Sequence, residues 1–153
     1  MLHHRMILAA MLSAIATAEA APTALAADAA TINVTVTQLH NADGKVWVCL
    51  WQDGNAKDFP RCDKATPFAK LSVPASAPKA TFADVPPGTY AISMFHDEKG
   101  TGVPEVNLLG MPKSGVGTSN NPVLGLMNRP SFDKSRFMVP ETKQIEIKTQ
   151  YLF

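Results

Sequence analysis

The fold is decided by the stretch from Pro86 to Asn121, which reads PPGTYAISMFHDEKGTGVPEVNLLGMPKSGVGTSNN. A Pro-Pro-Gly turn opens the stretch, and the side chains from Tyr90 to Phe95 then alternate as they do in a β-strand. His96, Asp97 and Glu98 follow as a row of titratable groups, and a long polar, glycine-rich segment comes after them. The stretch therefore predicts a core strand that leads into a specialised loop.

Two strands are predicted before this stretch. Residues 31–37 alternate polar and apolar side chains, which is typical of a strand with one buried face. Residues 45–51 carry valines and leucine on one face and two tryptophans and a cysteine on the other, so that both faces are apolar. The second face needs a cover, and the best candidate is the connection formed by residues 52–67.

Further short strands are predicted at residues 68–73, 79–85, 136–139 and 145–153. The last of these alternates most regularly, and we expect Ile145, Ile147 and Tyr151 to pack against the valine-bearing face of residues 45–51. One helical turn capped by Ser131 is predicted between the long segment and the final strands. About seven strands joined by Gly, Pro and Asn turns predict an all-β fold, an antiparallel β-sandwich of immunoglobulin-like or transthyretin-like type with one long loop.

The amino-terminal residues have the pattern of a secretory signal. A short basic start precedes an apolar run at residues 6–17, and a small-x-small motif predicts cleavage after Ala26, although Ala20 fits the same rule. The alternative, a membrane anchor, would need about twenty apolar residues, and this run is shorter. We therefore predict a signal peptide at 1–26, a single domain at 27–153, no membrane span in the mature chain, and a periplasmic or secreted location.

The chain has two cysteines, Cys49 in a predicted strand and Cys62 in the connection that leaves it. In an exported protein this arrangement predicts a disulfide bond that fixes the connection over the tryptophan-bearing face. The alternatives are two free thiols or a metal pair, although a lone pair at this separation lacks the close spacing of zinc ligands. By the chain-entropy estimate, a bridge that closes such a short loop contributes about 3 kcal/mol.

The charge balance excludes some classes of partner. The formal net charge is +1, and the sequence has no run of basic residues. Proteins that bind nucleic acid or anionic membranes by charge carry basic patches. We therefore predict no nucleic-acid partner.

Four motifs occur in an order that resembles a known bacterial family. PPGTYAI is followed by HDEKGTG, then by LLGMPKSGVGTSNN, and finally by PSF with a second phenylalanine five positions later. This order resembles the family called domain of unknown function 2141, and the resemblance covers nearly all of the predicted mature chain. The resemblance implies an exported, β-rich domain without an established activity, and it supplies no catalytic residues.

Members of that family usually carry HDxNxNGxxD after the histidine, a pattern similar to a calcium-binding loop. By this resemblance Asp97, Thr101 and Glu105 would hold ligand positions here. Lys99 falls where an oxygen ligand is needed, and an ammonium group supplies repulsion instead. The alternative is a glycine-rich turn held by side-chain hydrogen bonds to its own backbone, and we favour it. We therefore predict no resident cofactor, with calcium as at most a weak ligand.

His96 is the sole attractive general base of the predicted mature chain. It continues the core-facing row of Ile92 and Met94, and a histidine in that position is more often a hydrogen-bonded structural group than a catalyst. A nucleophile elbow of the form G-x-S-x-G is missing from its vicinity in the sequence. An enzyme would still be indicated if a serine or threonine oxygen lay within hydrogen-bond reach of His96.

Three functional classes follow: a non-enzymatic binding or interaction module of the cell envelope, a structural periplasmic domain with a degenerate calcium-type loop, and a hydrolase centred on His96. We favour the first class. Its candidate binding loop consists of His96, Asp97, Glu98, Asn120 and Asn121. Its partner would be an unknown envelope component, a glycan or a peptide, and exposed aromatic side chains near the long loop would favour the last two.

Overall fold

The computed structural model describes residues 28–125 and 127–153. This part of the chain forms eight strands and one four-residue helix. In chain order they are β1 Ala30–Thr37, β2 Lys45–Gln52, β3 Ala69–Pro74, β4 Lys79–Val85, β5 Gly88–Asp97, β6 Val116–Thr118, α1 Phe132–Ser135, β7 Phe137–Val139 and β8 Gln144–Lys148. The predicted signal peptide at 1–26 lies outside the described residues.

The strands form two sheets. One sheet has the order β4-β1-β8, and the other has the order β3-β2-β5-β6, with β7 also paired to β5. The strand β5 therefore lies between β2 on one side and the short strands β6 and β7 on the other. All pairs are antiparallel except β1 with β8, which run parallel. The predicted all-β, largely antiparallel sandwich is confirmed.

The inner faces of the two sheets form the main hydrophobic core. Alternate residues of β1, β2 and β5 point inward because side chains along a strand alternate between its faces. Ile145 and Ile147 of β8 belong to the same buried cluster, as the sequence predicts. The other large members include Ile32, Val34, Val36, Val46, Val48, Leu50, Phe82, Tyr90, Ile92 and Met94. Tyr151, predicted to join this face, lies outside the cluster and hydrogen-bonds to His96 instead.

The outer face of the second sheet is covered by the connection after β2. Cys49 and Cys62 form a disulfide bond, as predicted, with their Cα atoms 5.9 Å apart. Phe59 packs edge-on against Trp51, with 5.8 Å between ring centroids. Phe132 of α1 completes this second cluster by packing edge-on against Phe59 at 6.1 Å. The cover that the sequence requires for the tryptophan-bearing face is therefore present.

Two parts of the central stretch differ from the sequence prediction. The strand β5 extends through His96 and Asp97, whereas the alternation in the sequence ends at Phe95 and places these two residues after it. Strand β6 lies inside the segment predicted as a loop, with Gly117 at its centre. A Cβ at Gly117 would lie 2.6 Å from a methyl carbon of Ile147, so glycine is needed for close packing there. From the sequence, Gly117 is interpreted as a turn residue. Both a turn and close packing against another strand favour glycine, so the sequence alone does not distinguish them.

The helix α1 begins where the sequence predicts a capped turn. Ser131 is the N-cap, and its hydroxyl oxygen accepts a hydrogen bond from the backbone N–H of Lys134 at 3.4 Å. The turn ends at Ser135, because Arg136 adopts an extended backbone conformation. Within the described residues, no helix has the length and apolar character needed to cross a membrane.

Candidate functional site

His96 is completely buried at the end of the inner face of β5. Its Nε2 atom lies 2.8 Å from the backbone carbonyl oxygen of Asp43, and its Nδ1 atom lies 2.9 Å from the hydroxyl oxygen of Tyr151. A carbonyl oxygen can only accept, so Nε2 carries a proton and donates it in the bond to Asp43, and in that tautomer Nδ1 accepts from the tyrosine hydroxyl. Both nitrogens are therefore engaged by protein groups, and neither faces solvent.

Tyr151 connects His96 to the segment after β1. Its hydroxyl oxygen accepts a hydrogen bond from the backbone N–H of His40 at 3.0 Å, and the rings of His40 and Tyr151 stack. Burial raises the pKa of Tyr151, the His40 N–H opposes this, and the charge of Glu98 adds to the increase. Tyr151 therefore keeps its proton at physiological pH, and its hydroxyl donates a hydrogen bond to Nδ1 of His96. The sequence prediction missed this partner because 55 residues separate the two side chains.

Asp97 lies on the outer face of β5 and is also buried. One carboxylate oxygen accepts from the backbone N–H of Thr101 at 2.9 Å, and the other accepts from the N–H of Gly102 at 2.7 Å and from Trp47 Nε1 at 3.0 Å. Burial alone would raise the pKa of Asp97, but these hydrogen bonds outweigh it and hold the pKa below its usual value. The carboxylate closes a turn on its own backbone, which is the alternative we favour for this segment.

The remaining polar residues of the calcium-like pattern pair with one another. Lys99 forms an ion pair with Glu105, and the hydroxyl oxygen of Ser114 accepts from the backbone N–H of Glu105 at 2.9 Å. A small polar cavity of about 150 Å³ lies here, lined by Asp97, Glu98, Lys99, Glu105, Lys113 and Ser114. Across residues 28–125 and 127–153, no group of three His, Cys, Asp or Glu side chains is placed to hold a metal ion. Glu98 lies partly exposed, with one carboxylate oxygen 3.7 Å from His96 Nδ1.

Asn120 and Asn121 lie elsewhere and bind backbone groups. The side-chain amide of Asn120 donates to the carbonyl oxygen of Arg136 at 2.9 Å. The amide of Asn121 donates to the carbonyl oxygen of Glu146 at 2.9 Å, and its oxygen accepts from the N–H of Lys148 at 2.7 Å. Both asparagines have positive φ angles, 64° and 50°, a conformation that asparagine tolerates well. They join the turn after β6 to the end of α1 and to β8.

The five residues of the candidate binding loop do not form one site. Gly115 accepts a hydrogen bond from the backbone N–H of His96, whereas the asparagines follow Thr118, which pairs with Ser93 farther along β5. Two of the five are buried at the end of β5, and the two asparagines are hydrogen-bonded to the end of α1 and to β8. These residues lie in or beside the glycine-rich segment in sequence, but in the structure they form separate hydrogen bonds and do not share one surface.

A larger groove lies on the outer side of the second sheet. Its volume is about 540 Å³, within the range of small-ligand sites. The disulfide-bonded connection forms one wall through residues 59–63, and residues 109–112 of the long segment form another. Residues 124–125 and 129–130 close a third side, while Met94, Phe95 and residues 116–118 lie at the base.

Exposed aliphatic side chains surround this groove. Leu108 and Leu109, in the turn between β5 and β6, are 105% and 83% exposed, and Val123 is 76% exposed. The turn is well ordered by hydrogen bonds, because the Asn107 side-chain oxygen accepts from the N–H groups of Leu109 and Met111 at 2.9 and 3.0 Å. Exposed apolar side chains grouped in this way mark interaction sites on soluble proteins. The aliphatic clusters within predicted loops are the sequence signal that could have located the groove.

Comparison with known proteins assigns the chain to one protein family. A family model described as "Uncharacterized protein conserved in bacteria (DUF2141)" matches residues 34–148. The match includes β1 to β8 almost completely and therefore both sheets. Searches of curated proteins and of solved structures find no significant match.

Proposed function

The chain belongs to the DUF2141 family of uncharacterised bacterial proteins, and we propose that it is an exported, non-enzymatic binding module of the cell envelope. The observation that carries the proposal is the groove of about 540 Å³ between the disulfide-bonded connection and the long segment. Its lining is mainly apolar, and a mostly apolar concave site with few polar groups is the usual form of a ligand pocket.

The environment of His96 supports binding rather than hydrolysis. A general base must reach the proton that it removes, and both nitrogens of His96 are already bonded to protein groups. Within the described residues, no serine or threonine hydroxyl bonds to His96, so a nucleophile of that type has no base there. The groove also lies on the outer face of the sheet, whereas His96 belongs to the inner face.

The disulfide bond supports an exported location. Disulfides persist in oxidising compartments such as the bacterial periplasm and are rare in the cytosol. The Cys49–Cys62 bond is buried beneath the aromatic cluster, where it fixes one wall of the proposed site. We propose that residues 1–26 direct export and are removed. The intact mass of protein from the periplasmic fraction should correspond to a chain that begins at Ala27 and contains one disulfide.

Ligand binding is tested with a neutral fluorescent probe, N-phenyl-1-naphthylamine. We expect saturable binding with one site per chain. Gly125 offers a specific block, because a Cβ at this groove-lining position would have no atom within 4 Å. Gly125→Trp should fill part of the groove and abolish saturable probe binding, with the thermal midpoint unchanged. Gly125→Ala is the matched control and should bind the probe as the unmodified protein does.

Two results would contradict the proposal. The first is the lack of saturable probe binding by the unmodified protein, which would favour a purely structural domain. The second is probe binding by Gly125→Trp that equals binding by Gly125→Ala, since the probe would then occupy a different surface. Hydrolysis of a generic ester substrate that disappears in His96→Ala but persists in Gly125→Trp would instead favour an enzyme.

A further inference from the structure

We infer that the groove binds a single-chain amphiphile with an anionic head group, such as a free acyl carboxylate, and that Arg61 and Arg129 bind the head. This inference rests on the proposed binding function and specifies its ligand class. It follows from three features of the groove: the charge at its edge, the chemistry of its walls, and its size.

The charge at the groove is predominantly positive. Arg61 in the disulfide-bonded connection and Arg129 before α1 both line it, and Asp63 is the only carboxylate among the described lining residues. Neither guanidinium hydrogen-bonds to, or forms an ion pair with, a described protein group, whereas Arg136 nearby in sequence pairs with Asp133. Guanidinium groups stay charged at any physiological pH and match the two oxygens of a carboxylate or phosphate. An anionic group is therefore the complementary head.

The walls favour a flexible aliphatic chain. Leu109, Met111, Val116, Leu124 and Leu152 line the groove. Methionine side chains adapt to irregular apolar ligands because they are unbranched and polarisable. The large apolar side chains exposed around the groove are aliphatic, and the exposed aromatic residues in the described chain, Phe68 and Phe153, do not line it. The aromatic residues that do line the groove, Phe59 and Phe95, are half-buried and buried, so the exposed part of its rim is aliphatic.

The size of the groove favours one small molecule over a membrane surface. A volume of about 540 Å³ lies within the roughly 300–1,000 Å³ that small-ligand pockets occupy. A bilayer offers a flat surface of many head groups, whereas this site is concave and its two arginines lie on separate segments of chain. The occupant is thus a free amphiphile that enters the groove by its chain and leaves its head near the arginines.

Displacement of the naphthylamine probe by three twelve-carbon ligands tests this assignment. Dodecanoate, dodecanol and dodecyltrimethylammonium share one chain and differ in head-group charge. We expect dodecanoate to displace the probe at a concentration about tenfold lower than dodecanol, since hydrogen bonds between charged groups are stronger than those to a neutral hydroxyl. The cationic ligand should be the weakest. Arg61→Gln/Arg129→Gln should remove the preference for dodecanoate and leave displacement by dodecanol unchanged, and Arg136→Gln is the matched control.

The outcomes separate the two proposals. If the probe binds but dodecanoate and dodecanol displace it equally, or if the double variant keeps the preference, the anionic head assignment is wrong while the groove remains a binding site. If the probe does not bind at all, the proposed function itself is wrong. Sedimentation of the protein with phosphatidylglycerol vesicles, without displacement of the probe by dodecanoate, would replace the free amphiphile with a membrane surface.

Discussion

The two faces of β5 are both buried, yet different structures bury them. The inner face packs against the other sheet, where Ile92 and Met94 contribute to one continuous cluster. The outer face is covered by connecting segments, a disulfide bond and a four-residue helix, and part of it forms the base of a groove. Sheet-on-sheet packing fills space because both partners are regular, whereas loops over a sheet leave room between them.

The comparison suggests that stability and the proposed binding activity are divided between the two faces. Changes on the inner face should lower the free energy of unfolding without altering the groove directly. Changes on the outer face should affect both. Four experiments test this division, and they follow in order of decreasing expected effect.

Ile147→Ala tests the inner face. Ile147 is fully buried in the cluster between the sheets, so truncation should reduce the free energy of unfolding by about 2–5 kcal/mol. Denaturation in urea measures the effect, and Glu146→Ala on the exposed side of β8 is the control. A midpoint shift indistinguishable from that of the control would contradict the assignment of β8 to the core.

Removal of the disulfide tests the outer face. Cys49→Ala/Cys62→Ala should lower the free energy of unfolding by about 2–4 kcal/mol, because the bond closes a loop with a sequence separation of 13. Unlike Ile147→Ala under native conditions, it should also weaken binding of the naphthylamine probe, since residues 59–63 form a wall of the groove. Unchanged probe affinity in the folded double variant would show that the wall does not depend on the bond.

Two glycine substitutions compare a packed position with an open one. A Cβ at Gly117 would overlap Ile147, whereas a Cβ at Gly125 would meet nothing within 4 Å. Gly117→Ala should therefore cost about 1–3 kcal/mol through overpacking. Gly125→Ala should be neutral or up to about 1 kcal/mol more stable, because it restricts the unfolded chain. The urea midpoints of the two variants measure the difference. Equal midpoint shifts would mean that Gly117 of β6 does not pack closely against Ile147 of β8.

Asp97 should make a smaller, pH-dependent contribution. Its folded pKa is lowered, so its stabilising effect is fully present above the unfolded pKa of about 3.9 and is lost as the pH falls through the folded value. The unmodified protein should therefore lose more stability between pH 7 and pH 3 than Asp97→Asn does. Thermal midpoints across that range measure the difference. Parallel pH profiles for the two proteins would mean that Asp97 titrates alike in the folded and unfolded states.

The sequence predicts the regular parts of this molecule well. Alternation defines the strand at residues 31–37 and the start of the one predicted at 145–153, which in fact ends at Lys148. The doubly apolar residues 45–51 correctly require a second cover. The disulfide follows from two cysteines, one in the strand and one in the connection that covers it. These features are local or depend on a single pairing, so sequence patterns can identify them.

The candidate site was less predictable because its contacts are distant in sequence. His96 bonds to Asp43 and Tyr151, and Asp97 bonds to Trp47, none of which a local pattern indicates. The strand β6 was not predicted because it has only three residues, and with a glycine at its centre they show no clear alternation. The groove needs three separate segments to meet, and only the aliphatic residues of the long segment hinted at it. The predicted binding loop was centred on titratable side chains such as His96 and Asp97. In the structure these side chains form hydrogen bonds to other protein groups instead.

The side chain of Asn121 also bears on aggregation, because it binds the outer edge of strand β8. The outer edge of a terminal strand exposes unpaired N–H and C=O groups, which can template cross-β aggregation with another chain. Here one amide side chain supplies a donor to Glu146 and an acceptor to Lys148, as a neighbouring peptide unit would. The side chain thereby caps part of the open edge of the first sheet. Asn121 therefore leaves two fewer backbone groups of β8 free to pair with a strand of another chain.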